Sequence, residues 1–251
     1  MESWGETGNR VSRPARGAAQ DLPVTTMGEL ARMNMVTKER PAETMDAEPE
    51  FDIALARDLA QVDAADSTKT WILCPWLKQF PTSIGVWMSV LAAHDANEGL
   101  LCSLPVSAKS RPHVYAGVFA VDTLRRSSQL VDSLKGSGVA GVINFPSVSF
   151  IDGEAGEVLN GLSLGVDREI DFLRICSNEG LRVAGVARTI ETAERLGELG
   201  ADFLVVHGGP PIHAKHDPSQ DAARRIKGAI RLRNLRVIPI SSVLNRTQCR
   251  D

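Results

Sequence analysis

Gly141-Val-Ile-Asn-Phe-Pro-Ser-Val-Ser-Phe-Ile-Asp-Gly153 is the stretch that decides how this chain folds. Val139 to Ile143 forms a short apolar run, as expected of a strand buried in a parallel sheet. Asn144 follows at its C-terminal end. Pro146 ends the ladder because it has no N–H to donate. Asp152-Gly153 is a turn signal, with glycine free to take a positive φ. The stretch therefore predicts a buried strand that runs into a stiff loop carrying an amide and a carboxylate. In parallel α/β sheets, that end of the strands is where ligands bind.

Outward from this stretch, the chain alternates between strands and helices. Thr70 to Cys74, His113 to Phe119, Arg182 to Ala187, Phe203 to Val206 and Leu235 to Ile240 read as further strands, six in all. Helices are expected over Phe51 to Val62, Ile84 to Leu91, Thr123 to Leu134, Arg168 to Asn178, Ile190 to Leu199, and from Asp217-Pro218 to about Arg233. Phe51, Leu55, Leu59 and Val62 would share one helical face. Asp122, Asp167, Thr189 and Asp217 are the expected N-caps. Gly136-Ser-Gly138 and Gly200 fall at helix ends, and the former is read as a C-cap rather than a phosphate cradle. The segment from Gly153 to Gly165 is small and polar. Such alternation implies a parallel sheet and an α/β fold. The expected architecture is a TIM-type (β/α) barrel over 49–251, incomplete because six readable strands fall short of eight. Residues 1–48 lack an apolar period and read as a disordered, flexible N-terminal arm. An open barrel leaves sheet edges that the arm, a helix or another subunit must cover, so a homo-oligomer is expected.

The 141–153 stretch resembles the signature of the phosphoenolpyruvate hydrolase-like family, also called TIM-barrel signal-transduction domains, which reads G-V-Q-N-F-P-T-V-G-L-I-D-G. Gly165, Glu169 and Ile170 fit the same family, as do Gly200-Ala201-Asp202, Val206-His207-x-Gly209 and, upstream, Ala116-Gly117-Val118 with Asp122 and Arg125. The resemblance covers about 71–240. It implies a catalytic domain acting on a small carboxylate, phosphorylated or a 2-oxo acid, by hydrolysis or C–C/C–O cleavage. A divalent metal such as Mg²⁺ is compatible with related barrels, but nothing in the sequence demands one. Two segments depart from the family. Pro75-Trp-Leu-Lys-Gln79 replaces a Y-N-S-G-R loop, and Leu159-Asn-Gly-Leu-Ser-Leu164 replaces an L-E-E-T-G-M segment. These losses favour the alternative, a non-catalytic binding or signalling domain. An open polar cavity beside His207 would favour the enzyme, and Trp76 or Phe80 filling it would favour the alternative.

The candidate chemistry lies just past strand ends. His207 follows four apolar residues and precedes two glycines, so it is expected at the barrel mouth as a general base or an anion donor. Asp152 is a candidate to bind a metal or take a proton, and equally to make an Asx-turn into Gly153. Asn144 is a candidate to hold a substrate oxygen. Gly208 and Gly209 would let an anion approach the backbone. Gly153 and Asn97 complete the expected substrate contacts, although capping a helix turn is the commoner role for an asparagine placed like Asn97. His207, His213 and His216 invite a metal reading, but loop placement without a helical frame argues against it. The metal assignment therefore stays open.

The remaining totals restrict partners. A net charge of −3 gives no electrostatic case for nucleic acid or an anionic membrane. The basic residues Arg224, Arg225, Lys227, Arg231, Arg233 and Arg236 suit the outer face of a barrel helix. No apolar run reaches ~18 residues. Cys74, Cys102, Cys176 and Cys249 form no C-x-x-C pair, and a reducing, cytoplasmic setting is expected.

Overall fold

The computed structural model describes residues 52–63, 69–91, 94–106, 109–210, 216–230 and 235–248. The stretch 1–48, read above as an arm, lies outside them, as does His213. Seven strands pair in parallel and in chain order: β1 (Ile53–Ala56), β2 (Thr70–Leu73), β3 (Arg111–Gly117), β4 (Val139–Ile143), β5 (Arg182–Ala187), β6 (Phe203–Val206) and β7 (Arg236–Pro239). Between them run α1 (Leu59–Asp63), α2 (Thr82–Met88), α3 (Ala96–Ser103), α4 (Ser127–Gly136), α5 (Gly153–Gly161), α6 (Val166–Asn178), α7 (Ile190–Glu198) and α8 (Pro218–Ala229), and α9 (Ile240–Gln248) follows β7. The fold is α/β, a curled sheet forming an incomplete TIM-type barrel.

The strands are apolar on both faces, and alternate residues serve different layers. Ala54, Trp71, Val114, Val142, Val183 and Leu204 belong to the outer cluster, which they share with Leu134 of α4, Leu173 of α6 and Ile226 of α8. Their neighbours Ile53, Ile72, Tyr115, Ile143, Ala184 and Phe203 belong to a second, interior cluster with Trp76, Phe145 and Phe150. Gly141 is required for close approach, because a Cβ there would lie 2.3 Å from the Arg182 carbonyl oxygen.

Several expectations are corrected. Among the described residues the sheet has seven strands rather than six, because the run read as the helix Phe51–Val62 holds β1 and then the short α1. The apolar residues 53–56 are all buried, so both sides of this segment are used and the helical spacing of Leu55, Leu59 and Val62 is incidental. Helix α4 starts at Ser127, because the Asp122 carboxylate accepts the Leu124 and Arg125 N–H groups in a local turn upstream. Gly165, not Asp167, is the N-cap of α6, and Asp167 instead pairs with Arg195. The polar segment after Gly153 is helical in α5, which has no buried residues and so left no apolar period to read.

Helix α9, also unforeseen, packs on both β7 and β1. Ile240 and Val243 enter the interior cluster beside Ile53 and Leu55. The Leu55 N–H, on the edge strand, donates to Thr247 Oγ1 at 3.1 Å, and Thr247 donates in turn to the Val243 carbonyl at 2.9 Å. Arg246 pairs with Asp52 at 2.9 Å. A helix thus covers the exposed edge of β1. Thr247→Val, which keeps the shape but orphans a buried N–H, is expected to cost about 1–3 kcal/mol in urea denaturation. Thr247→Ser should recover most of that loss.

Candidate functional site

Asn144 leaves the C-terminal end of β4 with its carboxamide buried. Its Oδ1 accepts the Val186 N–H of β5 at 2.7 Å, and its Nδ2 donates to Glu169 Oε2 at 2.7 Å. Glu169 lies in the first turn of α6, on the same face as Ile170 and Leu173, and is fully buried. It also accepts the Ser147 hydroxyl at 2.8 Å and the Val148 N–H at 2.8 Å. Burial pushes the Glu169 carboxyl up to about 7 against the opposing pull of these donors. A carboxyl so placed can both hold and release a proton near neutral pH.

The network continues. Ser147 Oγ lies 2.7 Å from Ser149 Oγ, which lies 3.0 Å from His207 Nε2. Carboxyl, two hydroxyls and imidazole form one buried chain of hydrogen bonds. The His207 ring sits at the end of β6, edge-on to Phe150 with centroids 4.5 Å apart and to Trp87 at 5.9 Å. Its Nδ1 is buried and has no hydrogen-bond partner among the described residues. Burial, helped by the Arg188 charge and opposed by Asp152, pushes His207 down to about 3, so the ring is neutral.

The other candidates lie around this chain. Asp152 is exposed and pairs with Arg188 at 2.5 Å. That hydrogen bond holds its carboxyl below the usual range, as a fixed anion. Gly153 has φ +59°, which lets the chain turn into α5, and Gly209 has φ +103°. At Gly208 a Cβ would come within 2.2 Å of the Pro218 carbonyl oxygen, so only glycine lets the loop pass there. Asn97 is buried and fastens α3 to the loop after β3. It donates to the Phe119 carbonyl and to Asp122, and it accepts the Phe119 N–H. The cap of α3 is Asp95, whose side chain accepts the Glu98 N–H. Asn97 also lines a cavity of about 540 Å³ with His94, Asp122 and Phe119.

Asn144 and His207 thus belong to one network, joined through Glu169, Ser147 and Ser149, while Asn97 serves a separate cavity. Both ends of the Asn144 amide are committed to protein. The donor set does not fit a divalent cation, because Glu169 faces N–H and O–H donors and Asp152 faces a guanidinium. Among the described residues no group of three or more His, Cys, Asp or Glu is placed to hold a metal ion.

A family model described as phosphoenolpyruvate hydrolase-like matches residues 82–234, more than half of the chain. The chain belongs to the phosphoenolpyruvate hydrolase-like family. An uncharacterized protein, y4oT, of Sinorhizobium fredii is 32% identical over 153 residues, covering 61% of this chain and 78% of that protein. The ToMV resistance protein Tm-1(GCR237) of Solanum lycopersicum is 33% identical over 96 residues, 38% of this chain but only 13% of the tomato protein. The susceptible protein tm-1(GCR26) of the same plant matches to the same extent. No helix among the described residues is long and apolar enough to cross a membrane.

Within the 141–153 stretch, Ser149 and Phe150 stand where the family signature has glycine and leucine. These two residues contact His207 directly. Sequence reading did not assign roles to Ser147 and Ser149, and it passed over Glu169 as chemistry. The usable signal was spacing, since Val166, Glu169, Ile170 and Leu173 fall on one helical face and an acid among them is buried.

The two titrations act oppositely on stability. The raised Glu169 contributes stability that is full below about pH 4.5 and lost as pH rises towards 7, at most ~3 kcal/mol. The depressed His207 contributes stability present above about pH 6.5 and lost as pH falls towards 3. Glu169→Gln removes the Glu169 part of this balance and leaves the His207 part, so from pH 5 to pH 8 its unfolding free energy should rise by about 2–3 kcal/mol relative to wild type. Urea titrations at pH 5 and pH 8 measure that difference.

Proposed function

We propose that this domain acts on a small carboxylate, phosphorylated or a 2-oxo acid, by hydrolysis or C–C/C–O cleavage, with the Glu169–Ser147–Ser149–His207 chain moving the proton. The observation that carries this reading is the chain itself: four titratable or hydroxylic groups in unbroken hydrogen-bond contact at the C-terminal ends of parallel strands. Family membership supports the substrate class. When protonated, Glu169 donates to Ser147, reversing the bond that the ionised carboxylate accepts, and Ser147 and then Ser149 each donate onward as they accept. His207 passes the proton on through Nδ1 when Phe150 and Trp87 move aside. Asn144 is a positioning residue that fixes the Glu169 carboxyl. Asp152 remains ionised and sets the charge around Arg188.

One observation favours the alternative of a non-catalytic binding or signalling domain. Trp76 is buried and packs on Phe145 with centroids 5.7 Å apart, filling part of the interior with aromatic bulk. A single experiment separates the two readings. The wild type, His207→Ala and Glu169→Gln are assayed with phosphoenolpyruvate and with oxaloacetate, with and without Mg²⁺, for turnover and for melting shift. The enzyme reading expects wild-type turnover that falls roughly 10²–10⁴-fold in each variant. Melting shifts without turnover would establish the binding domain instead.

A further inference from the structure

Trp76 follows β2 in a 3-10 turn over Pro75–Gln79, at the same end of the parallel sheet as Asn144 and His207. The residue is 1% exposed, yet its indole Nε1–H has no acceptor among the described residues. A buried tryptophan ordinarily finds one, because an unmet donor carries its full desolvation cost. The ring beside it repeats the pattern. His94 packs on Trp76 with centroids 5.9 Å apart and on Phe80 at 5.4 Å, and both imidazole nitrogens are buried without partners among the described residues. Burial holds His94 below the ordinary histidine range against the pull of Asp95, so the ring is neutral. Through Phe145 and Phe150 the same layer of rings reaches His207, whose Nδ1 is likewise unmet. The neighbouring polar groups of Asn144, Ser147, Ser149 and Glu169 are all bonded. Unused nitrogens gathered in one layer, beside a network that is satisfied, mark hydrogen-bonding capacity that the fold itself does not use.

Room for a ligand is adjacent. His94 as a whole is only half-buried, and it lines the cavity of about 540 Å³ together with Asp95 and Thr123. Its ring therefore has space to turn out of the layer, towards polar groups, and in doing so it clears a place beside the indole. We infer that Trp76 is a ligand contact: its indole N–H donates to an oxygen of the molecule bound at the barrel mouth, in the place that the His94 ring vacates. An indole offers a donor and no lone pair, so the group it recognises is a carbonyl or carboxylate oxygen and not an ammonium. The inference rests on the functional reading above for placing that molecule near His207.

The test is an NMR titration of the full chain, with isotope-labelled tryptophan, using oxaloacetate and phosphoenolpyruvate. The Trp76 indole resonance is identified by its absence in Trp76→Phe. Binding should shift that resonance downfield, as a newly formed hydrogen bond does. Calorimetry supplies the affinities. Trp76→Phe, which keeps an aromatic ring and removes the donor, should weaken binding about tenfold. His94→Ala, which leaves the place beside the indole open, should tighten it several-fold. Loss in one variant together with gain in the other is a pattern that misfolding does not produce. Should Trp76→Phe fail to fold, the other tryptophans are substituted to identify the resonance, and its response in the wild type decides. An indole resonance that stays in place while either acid binds, or affinity unchanged in Trp76→Phe, overturns the inference. The two ideas fail separately. Turnover that needs His207 with an unmoved indole removes the Trp76 contact and leaves the proton chain. Trp76-dependent binding without turnover does the reverse, and binding of neither acid removes both.

Discussion

The Asn144 carboxamide is the constraint on which the functional end of this domain depends. Strand β4 stops at Ile143 while β5 continues to Ala187, so the Val186 N–H has no backbone acceptor on the β4 side. Asn144 Oδ1 takes that place, extending the ladder by one side-chain bond. Its amide N–H then points at Glu169. One residue therefore registers two strands and a helix, and the orientation of the buried carboxyl follows from the backbone ladder. An unpaired carboxylate in this layer would be costly. Three donors and a shift towards the protonated form make it tolerable.

That arrangement also explains the loop. Val148 N–H and Ser147 Oγ must both reach Glu169, so the chain after Pro146 turns tightly in a single 3-10 turn over residues 148–150. The same turn delivers Ser149 and Phe150 to His207. The loop is thus tied at both ends by polar contacts and closed over the imidazole by an apolar ring. A hydroxyl at 149 rather than the glycine of the family signature makes the hydrogen-bond chain continuous. A phenyl at 150 rather than leucine encloses the ring further. The two departures have opposite effects on access and on connectivity, so the stretch cannot be read as simple loss of a site.

Legibility in the sequence follows from how each element earns its stability. Strands β5 and β6, with the caps Thr189 and Asp217, were readable to the residue, because uninterrupted apolar runs end in unambiguous polar signals. Strand β1 was not, because four consecutive buried residues fit a helix and a strand equally well. Helices α5 and α9 escaped for different reasons. The first buries nothing, and the second is defined by the sheet edge it covers, which is a tertiary fact. For the site, the position of His207 at the end of β6 was legible, but its burial was not. Trp87 and Phe150, which enclose it, come from segments distant in sequence. Asn144 was legible as important but not in its partner, because Glu169 lies 25 residues away.

Charge completes the picture. His207 is surrounded by apolar rings and lies in the field of Arg188, so it is kept neutral, while Glu169 is kept protonatable by burial alone. The chain thus pairs a weak base that does not charge with an acid that holds its proton up to about pH 7. These are the conditions in which a proton held at one end can be shared along hydroxyls without creating a buried ion pair, whose desolvation the interior could not repay. The fixed charges Asp152 and Arg188 remain outside this layer, on the exposed rim. Permanent charge thus lies at the rim, and the neutral hydrogen-bonded groups lie beneath it.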